Sequence, residues 1–500
     1  MSVRTGAIVN ASSGLRIPRR ARLRDARAKL FSKAEKESSL LLLFVLHVPL
    51  GVLMYNSSAV AIAHPLAITA LGLYWALQAK EPISRVAYVV AYLIGAEVLW
   101  RMTGSPIYWE FGKYGSSAIM IAALLRRGLV GVPGFPLLYL VLLIPACYIT
   151  LADSNWQLTR DRLSFNMSGP ICLFACCWFF SQIKLTEFQL RRLLLYLAVP
   201  LVSVAIATLF FTLTNPNLEF TNESNPLTSG GFGPNQVSAM LGLGVFLAAS
   251  ALLLFKNDRK TTTLLGILAL FFAAQSVLTF SRGGIYAAVG ALSAVAIFQA
   301  RDFGQLLGRS LPVLALAGIF IFLVFPGLND FTGGKLEERF DSSDTTNRVS
   351  IMEMEIQVFL ENPVLGAGVG KAIDERYQMS QQFAASHTEF TRLISEHGLF
   401  GVLAILFLIA ASVSNLLKQT TRSGKAIVAG AVVWSGLFMM NAGMRLAAPA
   451  FLWGLSFVLV VGSDVARRGR HQLVQAKRTR FGVGPMIGMR SRSRSGVEAG

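Results

Sequence analysis

The chain has 500 residues, of which 53% are apolar and 15% charged, and its mean hydropathy is +0.54. Soluble domains carry about 25% charged residues, so this composition excludes an ordinary soluble protein and points to a lipid environment. The formal net charge of +19 would suit nucleic acid, but its distribution argues against that partner. The bases crowd the two ends and the short connections between apolar runs, as the positive-inside bias and attraction to anionic headgroups require.

The N-terminal tail, 1–38, is basic (Arg16, Arg19, Arg20, Arg22, Arg24, Arg27, Lys29) and is expected on the cytoplasmic side, with 15–37 as a helix on the inner leaflet. No small-residue cleavage site follows the first apolar run, so that run reads as an uncleaved anchor. Spanning helices are predicted near 39–56, 59–79, 85–102, 115–125, 128–150, 168–183, 193–213, 237–255, 261–280, 284–300 and 310–327, and again near 398–416, 425–442 and 446–463. The fold class is therefore all-α, a polytopic membrane protein of about 12–14 spans, since a helix satisfies its own backbone polar groups in lipid. Threaded from a cytoplasmic N-terminus, every inner connection is basic: Lys80 and Arg85, Arg126 and Arg127, Lys184 with Arg191 and Arg192, Lys256 with Arg259 and Lys260, Arg301 and Arg309, and Lys418 with Arg422 and Lys425. The outer connections are neutral or acidic, among them 151–167, where Arg160 and Arg162 offset Asp153 and Asp161. The tail 464–500 is basic, with Arg-Ser alternation of low complexity, and is expected to be cytoplasmic and disordered.

Residues 328–397 fall outside on this threading. They hold twelve acids against six bases, a net of minus six that opposes the sign of the whole chain. Connections of that length are functional or disordered, and periodic apolar positions favour function. One helix is predicted from Asn347 through Phe359, ended by Asn362-Pro363. A second is predicted from Ser386, where Ser386-His387-Thr388-Glu389 has the form of a capping box, with Gly398 leading into the next span.

Several residues in these outer segments suit chemistry. Arg282, in Phe280-Ser-Arg-Gly-Gly284, lies at an outer boundary against the positive-inside bias; it suits an anion site in which two glycines let backbone approach a phosphate, or simple snorkelling to headgroups. Arg445 carries the same two readings. His387, placed at the first turn of the second loop helix, would be held neutral by the helix dipole and suits a general base, or a surface or capping histidine. Glu389 reads as the third residue of the capping box, and Arg392 and Glu396 as a surface pair four apart. His47, His64, His471 and the four cysteines, all in apolar runs or a tail, read as structural. Gly366-Ala-Gly-Val-Gly370 follows a proline turn rather than a strand, which argues against a dinucleotide site and suggests a flexible bend. Asn235, in Gly230-Gly-Phe-Gly-Pro-Asn-Gln236, reads as the cap of the following span.

Taken in order, Phe232-Gly-Pro-Asn-Gln236, Thr279-Phe-Ser-Arg-Gly-Gly284, Asn347-Arg348, Glu361-Asn-Pro-Val-Leu-Gly-Ala-Gly368, Ser386-His-Thr-Glu-Phe-Thr-Arg392 and Glu396-His-Gly-Leu-Phe-Gly401 resemble the O-antigen ligase and polymerase family of bacterial envelopes. The resemblance implies an inverting, metal-independent glycosyltransferase with no cofactor. It would draw a glycan from undecaprenyl diphosphate and deliver it to a hydroxyl of a lipid, glycan or protein acceptor at the periplasmic face of the inner membrane, alongside other polysaccharide-assembly proteins. Carried over, Arg282 binds the donor diphosphate and stabilises it as leaving group, His387 activates the acceptor hydroxyl, and Arg348 and Arg392 are further ligands of the anionic donor. Glu389, Glu396, Arg445 and Asn235 are supporting candidates. An earlier outer arginine of the family has no clear match; Arg160 and Arg162 are the candidates. The competing functions are a flippase for the same lipid-linked glycan and a scaffold of an envelope complex. A flippase predicts short loops on both sides and repeated halves.

Overall fold

A computed structural model describes residues 40–462 except 154, 343–347 and 384. Both basic tails, His471 and Asn347 lie outside the described residues.

The chain is a helix bundle, entered by α1 (Leu40–Asn56), α2 (Ser58–Leu77), α3 (Ile83–Met102) and α4 (Phe111–Arg126). Next come α5 (Gly134–Leu142), α6 (Ile144–Leu151), α7 (Trp156–Ser181) and α8 (Glu187–Thr214). The second half holds α9 (Pro234–Leu254), α10 (Arg259–Leu278), α11 (Gly283–Gln299) and α12 (Phe303–Ile319), the last continued by a π turn and α13 (Phe325–Phe331). The long loop contributes α14 (Lys335–Asp341), α15 (Arg348–Glu361) and α16 (Ala372–Ser380), before α17 (Glu389–Lys418), α18 (Arg422–Ala442) and α19 (Ala447–Leu455) close the bundle. Among the described residues ten helical stretches are long and apolar enough to cross a membrane, with Leu40–Asn56 and Gly283–Gln299 as shorter apolar helices.

Apolar composition forms these helices, and polar residues at the predicted inner side start them. Asp258 caps α10, Asp302 caps α12 and Thr421 caps α18, each accepting from a backbone N–H three residues on. Thr186 and Gln189 make a reciprocal capping box at α8. The core is formed by α3 and α8, by α7 with α19, and by α9, α10, α11 and α18. By contrast α12 has no buried residue and stands at the lipid-facing edge.

Four sequence expectations need correction. The predicted outer loop 151–167 is mostly helix, because α7 starts at Trp156 under an Asn155 cap and runs through Pro170. The last predicted span, 446–463, stops being helical at Leu455; Leu459–Val461 then pairs in parallel with Lys184–Thr186, the two strands β2 and β1. The second loop helix begins at Glu389 with Thr388 as cap, because the Ser386 hydroxyl is already given to Glu355. Gly366–Gly370 is a docked turn rather than a loose bend: Ala367 and Gly368 donate to the carbonyls of Ser395 and Glu396 at 2.9 and 3.0 Å.

That docking explains a break in α17. Gly398 has φ +59, and a Cβ on Gly366 would lie 2.3 Å from the Glu396 carbonyl carbon, so two backbones meet where no side chain fits. The released amide of Leu399 donates to Pro363 at 2.8 Å. The long loop is thus bolted onto the start of α17, and its helices sit over one end of the bundle.

Candidate active site

The helix alternation brings the N-terminal turn of α9, the α10–α11 turn, the first turn of α15, the segment before α17 and the α18–α19 turn to the same end. A polar cluster forms there. The Asn235 carboxamide oxygen accepts from the Ser281 hydroxyl at 2.9 Å and from Arg348 at 3.1 Å. Arg348 also donates to the Asn441 side-chain oxygen at 2.9 Å, while its Nε has no partner among the described residues. Asn235 therefore is not the helix cap expected; Gly233 occupies that position, and Asn235 ties three elements together.

Arg282 caps the turn into α11 and donates to the carbonyl of Ser342 at 2.5 Å, joining the turn to the loop. Nearby Arg339 donates to the carbonyl of Phe280, a buried residue with φ +57 that shapes this turn. The two glycines after Arg282 do not serve a phosphate approach. A Cβ on Gly284 would lie 2.0 Å from the Ser238 carbonyl oxygen, and one on Gly283 3.2 Å from the Asn441 side chain, so they let α11 pack against α9 and α18.

His387 is half-buried on the segment before α17, ahead of the helix rather than in its first turn. Both neighbours are fixed. Ser386 donates its hydroxyl to Glu355, a fully buried carboxylate that also receives Arg376 and, at 2.5 Å, the Thr391 hydroxyl. The Ser386 carbonyl accepts from Arg445 at 2.8 Å. Burial first, then the positive charges of Arg348, Arg445 and Arg376, push the His387 pKa down to about 4. Its imidazole is neutral at pH 7, as expected, although proximity to arginines rather than a helix dipole is the cause.

The arginines divide into two groups. Arg392 is held by Glu389 and, at 2.6 Å, by Glu396, and Glu389 also accepts the Met444 amide at 3.0 Å. Neither carboxylate plays the part expected: Glu389 is no capping-box residue, and the Arg392–Glu396 pair is buried rather than on the surface. Arg162 is paired with Asp374 at 2.6 Å, and Arg160 is exposed beside Asp161. In contrast, Arg348 and Arg445 have no carboxylate partner among the described residues. Burial lowers the pKa of both, followed by the charges of Arg339 and Arg282 at Arg348 and of Arg392 at Arg445. At Arg445 the charge of Glu389 offsets this only in part, and cations crowded with no ion-pair partner among the described residues make a site an anion would relieve.

The family model described as O-antigen ligase matches residues 267–406. This chain carries an O-antigen ligase domain. The domain runs from α10 into α17 and includes Arg282, Arg348, His387 and Arg392, while Asn235, Asn441 and Arg445 reach its site from outside the matched stretch. No curated protein matches the chain. The matched stretch lies within a chain whose described residues form ten helical stretches long and apolar enough to cross a membrane, and the polar cluster lies at one end of that bundle.

Sequence reasoning missed Asn441, Ser281 and Glu355. Ser281 stands in a quoted motif and Asn441 lies four residues before Arg445, but nothing in the spacing shows that Ser281 meets Asn235 or that Arg348 bridges Asn235 and Asn441. Glu355 was one acid among twelve; its signal was its place between apolar residues Ile351 and Val358, on the buried face of α15.

Proposed function

We propose that the protein transfers a glycan from undecaprenyl diphosphate to an acceptor hydroxyl at the extracytoplasmic face of the inner membrane, in the assembly of a surface polysaccharide. The observation that carries the reading is the pair Arg348 and Arg445, two guanidinium groups with no carboxylate partner among the described residues, whose charges both act on a neutral histidine. The positive-inside bias supports placing this end outside, with both termini and the basic connections in the cytoplasm.

The chemistry follows from the placement. The donor diphosphate binds Arg348 and Arg445, with Arg282 beside them at the α11 start. His387 takes the proton from the acceptor hydroxyl as its oxygen bonds to the anomeric carbon. The bond from that carbon to the diphosphate oxygen breaks, its electrons pass to the diphosphate, and the guanidinium groups stabilise the charge that develops. Attack opposite the leaving group inverts the anomeric centre. The imidazolium then returns its proton to the released diphosphate or to water. Arg392, locked between two carboxylates, positions the α17 start and the Met444–Arg445 turn instead of binding the donor. Because guanidinium groups carry the leaving-group charge, turnover should persist in the presence of a chelator.

The test is a reconstituted assay with lipid-linked glycan, joined to the glycan profile of a deletion strain. His387→Ala should retain donor binding and lose transfer, and Arg348→Gln with Arg445→Gln should lose donor binding. Undiminished turnover in His387→Ala removes it from the mechanism. In the deletion strain, single repeats left on the carrier indicate a polymerase, and long unattached chains a ligase.

A further inference from the structure

We infer that the cavity beside His387 seats the acceptor glycan and that the sugar it takes is uncharged. The inference rests on the transferase reading above and adds the substrate class on its acceptor side. The cavity has a volume of about 530 Å³, within the ~300–1,000 Å³ of small-molecule sites. Ser386, Thr388 and Arg445 line it, so it reaches both neighbours of His387, whereas Arg282, Arg348 and Asn235 do not line it. A donor held at Arg348 and an acceptor held in the cavity would therefore meet at the imidazole.

The charges on its walls are nearly all spent. Arg162 is matched to Asp374 at 2.6 Å, and Arg392 to Glu389 and Glu396. Lys113 is matched to Glu110 and donates to Ser168 at 2.9 Å, and Arg376 is matched to Glu355. Only Arg445 lacks a carboxylate, and it faces the donor diphosphate in the mechanism. Matched pairs leave oxygen acceptors for sugar hydroxyls. With Arg445 taken by the donor diphosphate, a phosphate or carboxylate on the sugar would give up its hydration and meet four acids whose cationic partners are already matched. Two aromatic faces complete the site: Phe165, 40% exposed on the outer turns of α7, and Phe383, stacked on Tyr377 with centroids 4.0 Å apart. Such rings pack against the C–H face of a pyranose, and their negative faces disfavour an anion.

The experiment uses the full chain in lipid, with lipid-linked oligosaccharide from a deletion strain as donor. The acceptor is the same oligosaccharide released by mild acid, either unmodified or phosphorylated on its non-reducing sugar. The wild type should show a KM for the neutral acceptor at least about tenfold below that for the phosphorylated one. Phe165→Ala should raise the neutral acceptor's KM about tenfold with the donor KM unchanged. Asp374→Asn, which frees a nitrogen of Arg162, should narrow the preference against phosphate. Equal use of both acceptors by the wild type, or an unchanged acceptor KM in a monodisperse Phe165→Ala protein, overturns the inference. Full turnover in His387→Ala would instead defeat the transferase reading itself, so the two failures are distinguishable.

Discussion

His387 is the residue on which the pH dependence turns. Its neutral form is the base, and in the empty site its pKa is about 4, so kcat/KM, which reports the free enzyme, should hold level from neutrality and fall as pH drops through that value. Bound diphosphate offsets the field of Arg348 and Arg445, which favours the protonated ring and raises the pKa in the complex. The acid limb of kcat should therefore lie at higher pH than that of kcat/KM. Coincident limbs in rates measured across pH would place the diphosphate away from the histidine. Glu355 acts at one remove, since it holds Ser386 and Thr391 on the two sides of the His387 segment. Glu355→Gln removes the charge that Arg376 pairs with and turns one acceptor into a donor, facing either Thr391 or Ser386; kcat should fall about 10- to 100-fold, with donor KM little changed and Glu355→Asp recovering part of the loss. Arg282 stood out in the sequence because it lies against the local charge bias, and His387 because it opens a loop helix; the structure sets the charges of Arg282 and His387 beside Arg348. The state of each arginine was not legible, because pairing with Glu389, Glu396 or Asp374 joins residues from separate elements.

At the scale of elements, apolar runs located the long apolar helices, while the short loop helices α14 and α16 and most helix ends were set by contacts that no local pattern contains. The Asn155 cap extends α7 outward, and the pairing of β1 with β2 ends the helical path after α19. The α9–α11 contact shows how motif glycines mislead: Gly283-Gly284 reads as a phosphate cradle, yet Gly284 faces the backbone of Ser238 and Gly242 faces Gly284. Gly284→Ala should thus force the two helices apart, costing about 1–3 kcal/mol by overpacking and lowering the temperature at which the detergent-solubilised protein loses its monodisperse peak. Gly283→Ala meets only the Asn441 side chain, 3.2 Å from its Cγ, and should leave that temperature nearer the wild type. Equal behaviour of the two variants would contradict the close packing of α9 on α11.

For the whole molecule, the decisive quantity is sidedness. The polar cluster occupies the end of the bundle that carries the long acidic loop. At the other end, Arg191 donates to Asn257 at 3.0 Å, Arg422 to the Ala300 carbonyl at 3.1 Å, and β1 meets β2. The positive-inside bias predicts that the end holding Arg191 and Arg422 faces the cytoplasm and that the loop faces outward. The chain offers a clean labelling experiment, because Cys172, Cys176 and Cys177 are buried and Cys147 is half-buried within a span. Single cysteines at exposed Glu361, on the loop, and at exposed Arg301, on an inner connection, report the two ends. In intact cells with a permeable outer envelope, a membrane-impermeant maleimide should label Glu361→Cys and spare Arg301→Cys until the inner membrane is opened. The reverse pattern would put His387 and its arginines in the cytosol, where they could act only on a donor that has not yet crossed the membrane.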